Sequence, residues 1–102
     1  MEIKGIKLQN GMDIICKDLT NDGMTYGLSK AVAIHITQDA SGKPNMGFLP
    51  LTFFALDSKD GMNVEIDKHH VLFVYTPNND ITAGYTEFSS GLAVPKKPQI
   101  IL

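Results

Sequence analysis

A chain of 102 residues, 43% hydrophobic and 20% charged, supports one modest core and leaves no second domain with which to form an interdomain cleft. Nine lysines against eleven acids, with no arginine, give a net charge of −2, which excludes a broad phosphate-tracking face and confines any nucleic-acid contact to a small site. The lone Cys16 rules out an internal disulfide and a Cys-rich zinc site, and no apolar run reaches the about 20 residues of a membrane helix.

The start, Met1-Glu2-Ile3-Lys4-Gly5, has neither a secretory core nor an Arg-rich leader, so a cytoplasmic protein is expected. A first strand is predicted over about residues 2–9, with a tight turn at Asn10-Gly11 and a second strand over about 12–19 that places Ile14 and Cys16 on one face. Thr20-Asn21-Asp22-Gly23 is the next turn. An extended run from Met24 to Thr37 follows, in which Leu28, Ala31 and Ala33 oppose Val32, Ile34 and Ile36, and its second half is expected to be covered on both faces. Residues 38–45 read as a polar, mobile loop. Gly47 to Leu56 is apolar, but Pro50 confines it to a sheet edge, a bulge or an irregular crossing. After a turn at Asp57 to Gly61, Met62 to Asp67 alternates as a half-buried strand and leads through Lys68-His69 into a last strand, His70 to Tyr75.

Beyond Pro77 the period changes. Ile81, Tyr85 and Phe88 fall at i, i+4 and i+7, with Asn78 or Asn79 to cap and Ser90-Gly91 to stop a short helix that packs on the strands. Residues 92–102, with Pro95 and Pro98, read as an extended tail whose apolar Ile100-Ile101-Leu102 docks on the protein or a neighbour. The expected unit is thus a β domain over 1–77 with an insert at 38–61, a helix at 78–91 and a tail at 92–102.

Lys68, His69 and His70 place a cation and two imidazoles at the mouth of a β-prone run, either as a ligand-facing loop or as a solvated turn with His70 packed into the strand. Asp67, His69 and His70 are poor partners for one metal ion, because adjacent strand residues point to opposite faces. Asn21, Asp22, Thr25 and Tyr26 form a second loop, in which Tyr26 is able to stack on a base and Asp22 or Thr25 to bond its edge, or else Asn-Asp-Gly simply makes the turn. His35 reads as a satisfied strand histidine and Cys16 as a small strand residue. Phe48, Phe53, Phe54, Phe73 and Tyr75 read as core or subunit contact. No nucleophile triad, carboxylate pair or phosphate-binding glycine loop is present, so no enzyme, cofactor or metal is expected.

Ile6-Lys7-Leu8-Gln9-Asn10-Gly11-Met12-Asp13-Ile14, Asn21-Asp22-Gly23-Met24 and Val64-Glu65-Ile66-Asp67-Lys68-His69-His70-Val71-Leu72-Phe73-Val74 together resemble the Sm-like family, which includes Hfq, over about residues 3–36 and 62–77. Including the long insert and residues 77–95, the chain is most similar to small Sm-like proteins encoded by marine bacteriophages. The family's strand-two glycine is Cys16 here, its base-reading Asn is Thr25, the acidic turn is about one residue short, and the helix before the strands is missing, its place taken by residues 79–89. The resemblance implies an SH3-like bent antiparallel barrel of about five strands, built into a homo-oligomeric ring of roughly five to seven subunits. It places Val64, Ile66, Val71, Phe73 and Tyr75 at the subunit interface, with Met62 to Asp67 of one copy paired to His70 to Tyr75 of the next. Low-specificity binding of single-stranded RNA through Asn21, Asp22, Thr25, Tyr26, Lys68 and His69 is the implied function, in a host cytoplasm if the chain is phage-encoded. The alternative is a structural or adaptor ring that holds a phage or host protein.

Overall fold

The computed structural model describes residues 2–52, 54 and 61–90. Six antiparallel strands form one sheet: β1 (Ile3–Leu8), β2 (Asp13–Asn21), β3 (Thr25–Gln38), β4 (Pro44–Pro50), β5 (Met62–Asp67) and β6 (Val71–Tyr75). A 3-10 turn at Lys68–His70 joins the last two, and one helix, α1 (Asn79–Ser90), follows. The order β4-β3-β2-β1-β6 is completed by β5, which shares an edge of β3 with β4. The N-terminal half of β3 pairs with β5 (Thr25↔Asp67 to Ala31↔Met62), and its C-terminal half pairs with β4 (Val32↔Pro50 to Gln38↔Pro44).

The handover between partners is made by a bulge. Register shifts between Leu28 and Ala31, and Lys30 adopts φ 52°, a left-handed conformation unusual for a lysine. Side chains from elsewhere bond its backbone groups: the Lys30 amide donates to Asn63 Oδ1 (3.2 Å), and the Tyr85 hydroxyl donates to the Lys30 carbonyl (2.6 Å). Gly61, at φ 108°, lies so close that a Cβ there would stand 2.7 Å from the Lys30 carbonyl. Because the bulge inserts a residue, Leu28 and Ala31 share the inner face despite their odd separation.

The inner face buries Ile6, Ile14, Cys16, Leu28 and Ala31, with Leu8, Val64, Ile66, Val71 and Val74 packed against them. β5 and β6 stand at opposite ends of the order β6-β1-β2-β3-β5 yet contribute to this one cluster, so the sheet is curled. The 3-10 turn spans the gap: the Lys68 amide donates to the Met24 carbonyl (3.0 Å), and the Gln9 amide donates to the His70 carbonyl (2.9 Å). On the outer face, Ile15, Val32, Phe48 and Tyr85 form a second cluster with Ile81 and Phe88 of α1. Asn78 caps that helix through its Oδ1, which accepts from the Ile81 amide (2.9 Å). Farther along, the Tyr75 ring lies over Gly5 and its hydroxyl donates to Asp13 (2.8 Å), which also pairs with Lys7 (2.9 Å).

The expected β-rich architecture, the helix stripe and the edge placement of Pro50 all hold. Other expectations need correction. The β1–β2 turn is wider than a two-residue hairpin, because Leu8 and Met12 close it (2.9 Å) around Gln9, Asn10 and Gly11. The second half of β3 is not covered throughout: Ile36, paired with Met46 near the end of the β3–β4 hairpin, is 66% exposed. Residues 39–43, within the polar loop, make a bonded turn in which Asp39 Oδ1 accepts from the Ser41 amide and hydroxyl and the Lys43 amide (2.8–2.9 Å). The turn at residues 57–60, the tail at 92–102 and Phe53 lie outside the described residues. Phe54 is 97% exposed rather than part of the core.

If the bulge sets the bend, Tyr85→Phe, which deletes a hydroxyl and no packing, lowers unfolding free energy by about 1–3 kcal/mol in urea titrations. Gly61→Ala, which adds a clash to a disfavoured φ, costs at least about 2 kcal/mol.

Candidate functional site

The pairing of Thr25 with Asp67 and of Tyr26 with Ile66 puts the β2–β3 turn and the β5–β6 turn at the same end of the sheet. That register brings residues distant in sequence into one exposed cluster. Lys68 Nζ donates to Asn21 Oδ1 and sits 4.9 Å from the centroid of the Tyr26 ring, a cation–π placement. Asn21 Oδ1 also accepts from the Gly23 amide (3.1 Å), which orients the side-chain amide nitrogen away from the turn. Tyr26 is half-buried, its ring edge packed on the inner core and its face under Lys68.

Asp22 organises the β2–β3 turn. Its Oδ1 accepts from the Thr25 amide (3.0 Å), the Thr25 hydroxyl (3.0 Å) and the Met24 amide (3.3 Å). The Thr25 amide first, then its hydroxyl, hold the Asp22 carboxyl below the ordinary carboxylate range. Asp67 does the same for the β5–β6 turn: its Oδ1 accepts from the His69 amide (2.9 Å) and lies 2.8 Å from His69 Nδ1, and these contacts, the amide first, lower its pKa. A carboxylate only accepts, so Nδ1 carries the proton in this contact. His69 is otherwise solvent-facing, with its side chain 83% exposed.

The residues expected from sequence as an RNA site are therefore placed as follows. Asn21, Tyr26 and Lys68 meet directly, Asp22 and Thr25 lock the turn beside them, and His69 projects from the adjoining turn on an Asp67 anchor. Asp67, which sequence reasoning weighs only as a disfavoured metal ligand, has an anchoring contact that the sequence does not assign; the signal available is its spacing of two from His69 at the start of a tight turn. Among the described residues no group of three or more His, Cys, Asp or Glu side chains is arranged to hold a metal ion. His70 is exposed beside Leu8, Gln9 and Asn10, not packed into β6, and His35 is half-buried opposite Gly47.

Of the residues expected at a subunit interface, Val64, Ile66 and Val71 pack against the inner core of their own chain. Phe73 is 53% exposed and meets Tyr75 edge-on at 6.0 Å between centroids. These two rings border an open groove of about 490 Å³ with Ile34, Ile36, Met46 and Ile81. Among the described residues, β4, β5 and β6 are each paired along one edge only. Cys16 is fully buried, and burial, then the nearby Asp18 charge, pushes its thiol up to about 12, which closes it as a nucleophile.

No helix among the described residues is long and apolar enough to cross a membrane. The chain matches no protein-family model and no curated protein sequence.

Two titrations check this electrostatic picture. Because the folded-state pKa values of Asp22 and Asp67 are depressed, the order they give the two turns is complete above the ordinary aspartate value of 3.8 and is lost only as pH falls through the lower folded values; carboxyl ¹³C titration midpoints for both lie below 3.8. At the other end, the folded thiol stays protonated where an unfolded one, near 9.0, ionises, so stability declines as pH rises from about 9 toward 12. Cys16→Ala removes the part of that slope between about pH 9 and 10, before tyrosines ionise.

Proposed function

We propose that this chain is an Sm-like protein that assembles into a closed homo-oligomeric ring of roughly five to seven copies and binds single-stranded RNA with low sequence specificity. The observation that carries the reading is the convergence of two turns 47 residues apart, measured from Asn21 to Lys68, on one exposed cluster of a cation, an aromatic ring and an amide. Such a set fits a nucleotide strand: the ammonium serves a phosphate, the ring stacks on a base and the amide bonds its edge. Lys68 covers the Tyr26 face in the free protein, so a phosphate draws it aside as a base takes its place. Repetition around a ring concentrates the lysines and offsets the net negative charge of each copy.

The ring is supported by the strand order β6-β1-β2-β3-β5, whose two ends carry edges of similar length on β5 and β6 that have no strand partner among the described residues. Pairing β5 of one copy with β6 of the next satisfies both edges by a cyclic operation that closes. No catalytic step and no cofactor enters this reading.

Light scattering at micromolar concentration finds a multimer; a monomer contradicts the ring. In fluorescence anisotropy with a U- or A-rich oligonucleotide, Lys68→Ala weakens binding and reduces the slope of log K against log salt by about 0.7 for each phosphate that the lysine no longer neutralises. Tyr26→Leu, which keeps the core packing, weakens binding by about 1–3 kcal/mol per stacked base.

A second reading, an adaptor ring that holds a protein, draws on the exposed Ile36 and Phe73 that line the outer groove. Co-purification of a stoichiometric protein that is indifferent to Lys68→Ala and absent from the Phe73→Lys variant favours it over RNA.

A further inference from the structure

An imidazole fixed at one nitrogen is a directional group at the other. Asp67 Oδ1 takes both the His69 amide and the Nδ1 proton, at 2.9 and 2.8 Å, so a neutral His69 is held as the tautomer whose Nε2 has a lone pair and no hydrogen. Nδ1 and Nε2 lie on opposite sides of the ring, so anchoring the first directs the second away from the turn. The side chain is 83% exposed, which leaves Nε2 open to a ligand. Its neighbour Lys68 supplies the cation of the cluster, and Asn21 presents its amide nitrogen. Both are donors. His69 Nε2 is thus an outward acceptor beside two groups that only donate to a ligand.

A strand held through its phosphates and base edges offers few donors on its backbone. DNA offers none from its sugar, whereas each ribose carries a 2′-hydroxyl able to donate. We infer that His69 is the group by which this protein distinguishes RNA from DNA, its Nε2 accepting a hydrogen bond from a ribose 2′-hydroxyl, and that Asp67 is the positioning residue that holds the imidazole in the accepting tautomer. The inference rests on the single-stranded nucleic-acid reading of the same cluster and adds to it the sugar class and the residue that reads it. The turn geometry makes the discrimination modest, because Nε2 faces water and exchanges one neutral hydrogen bond for another.

The test uses the full-length chain at pH 8, where imidazole in water is neutral. Affinities are measured for one sequence made as RNA, as DNA and as 2′-fluoro RNA, which keeps the ribose pucker but has no hydroxyl to donate. The wild type binds RNA about three- to tenfold more tightly than either of the others, the range expected of one exposed hydrogen bond per engaged nucleotide. In His69→Ala the three affinities converge as the RNA advantage is lost, while a far-UV circular dichroism spectrum and melting temperature matching the wild type's show that the fold is intact. Asp67→Ala, with His69 still present, lowers the RNA-to-DNA ratio in the same direction, a change that general loosening of the turn, which weakens both ligands alike, does not produce.

Equal wild-type affinity for RNA and DNA overturns the inference and leaves the nucleic-acid reading standing. So does 2′-fluoro RNA that binds as well as RNA, because the preference then comes from sugar pucker. If no oligonucleotide binds in any form, the function proposed above fails, and this inference fails with it.

Discussion

The bend at Lys30 is the constraint on which the rest of the molecule depends. A fourteen-residue strand that stayed straight would carry one partner along its second edge; this one carries two, because its register breaks between Leu28 and Ala31. A lysine in left-handed conformation is held there by contacts from three directions: the Asn63 side chain at its amide, the Tyr85 hydroxyl at its carbonyl, and the glycine backbone at residue 61 against it. Gly61 immediately precedes β5, Asn63 lies near its start and Tyr85 belongs to α1, so the bend, the docking of α1 and the approach of β5 are one cooperative arrangement. Tyr85 serves both sides of the sheet, filling the outer cluster with its ring while its hydroxyl secures the break in the ladder.

From that bend follows the position of the candidate site. With β3 bent, β5 pairs back to its first residues, and the Thr25–Asp67 register sets the two polar turns side by side. The 3-10 turn then reaches from Met24 at one end of the sheet to Gln9 at the other, so the segment bearing Lys68 and His69 also holds the curl closed. A candidate ligand-facing loop that is also a structural clasp has its backbone held at both ends, which limits the arrangements open to its side chains. The two aspartates contribute to the same end: Asp22 and Asp67 each commit Oδ1 to backbone amides and so act as internal braces beside Asn21, Tyr26, Lys68 and the exposed His69.

Much of this is legible in the sequence where local chemistry decides the outcome. Alternation from Met62 to Asp67, the Ile81-Tyr85-Phe88 stripe behind Asn78, and Pro50 at an edge each follow from rules that act over a few residues, and the structure agrees. What the sequence hides depends on long-range pairing. Nothing local marks Lys30 as left-handed, since the contacts that stabilise it come from residues 61, 63 and 85. Ile36 reads as covered because apolar strand residues usually are, but cover depends on what packs against the strand. At the site, residue types point to Asn21, Tyr26 and Lys68, yet their mutual contact, and the Asp67 anchor on His69, require the register of β3 against β5.

The most direct test of the account is a residue-resolved map of where a single-stranded oligonucleotide touches the protein, read from amide chemical shifts as the RNA is added. The account predicts the largest changes at Asn21 to Tyr26 and at Lys68 and His69, with the helix and the Ile36–Phe73 groove unmoved. Changes confined to that groove, or none at any residue under low salt, would contradict it.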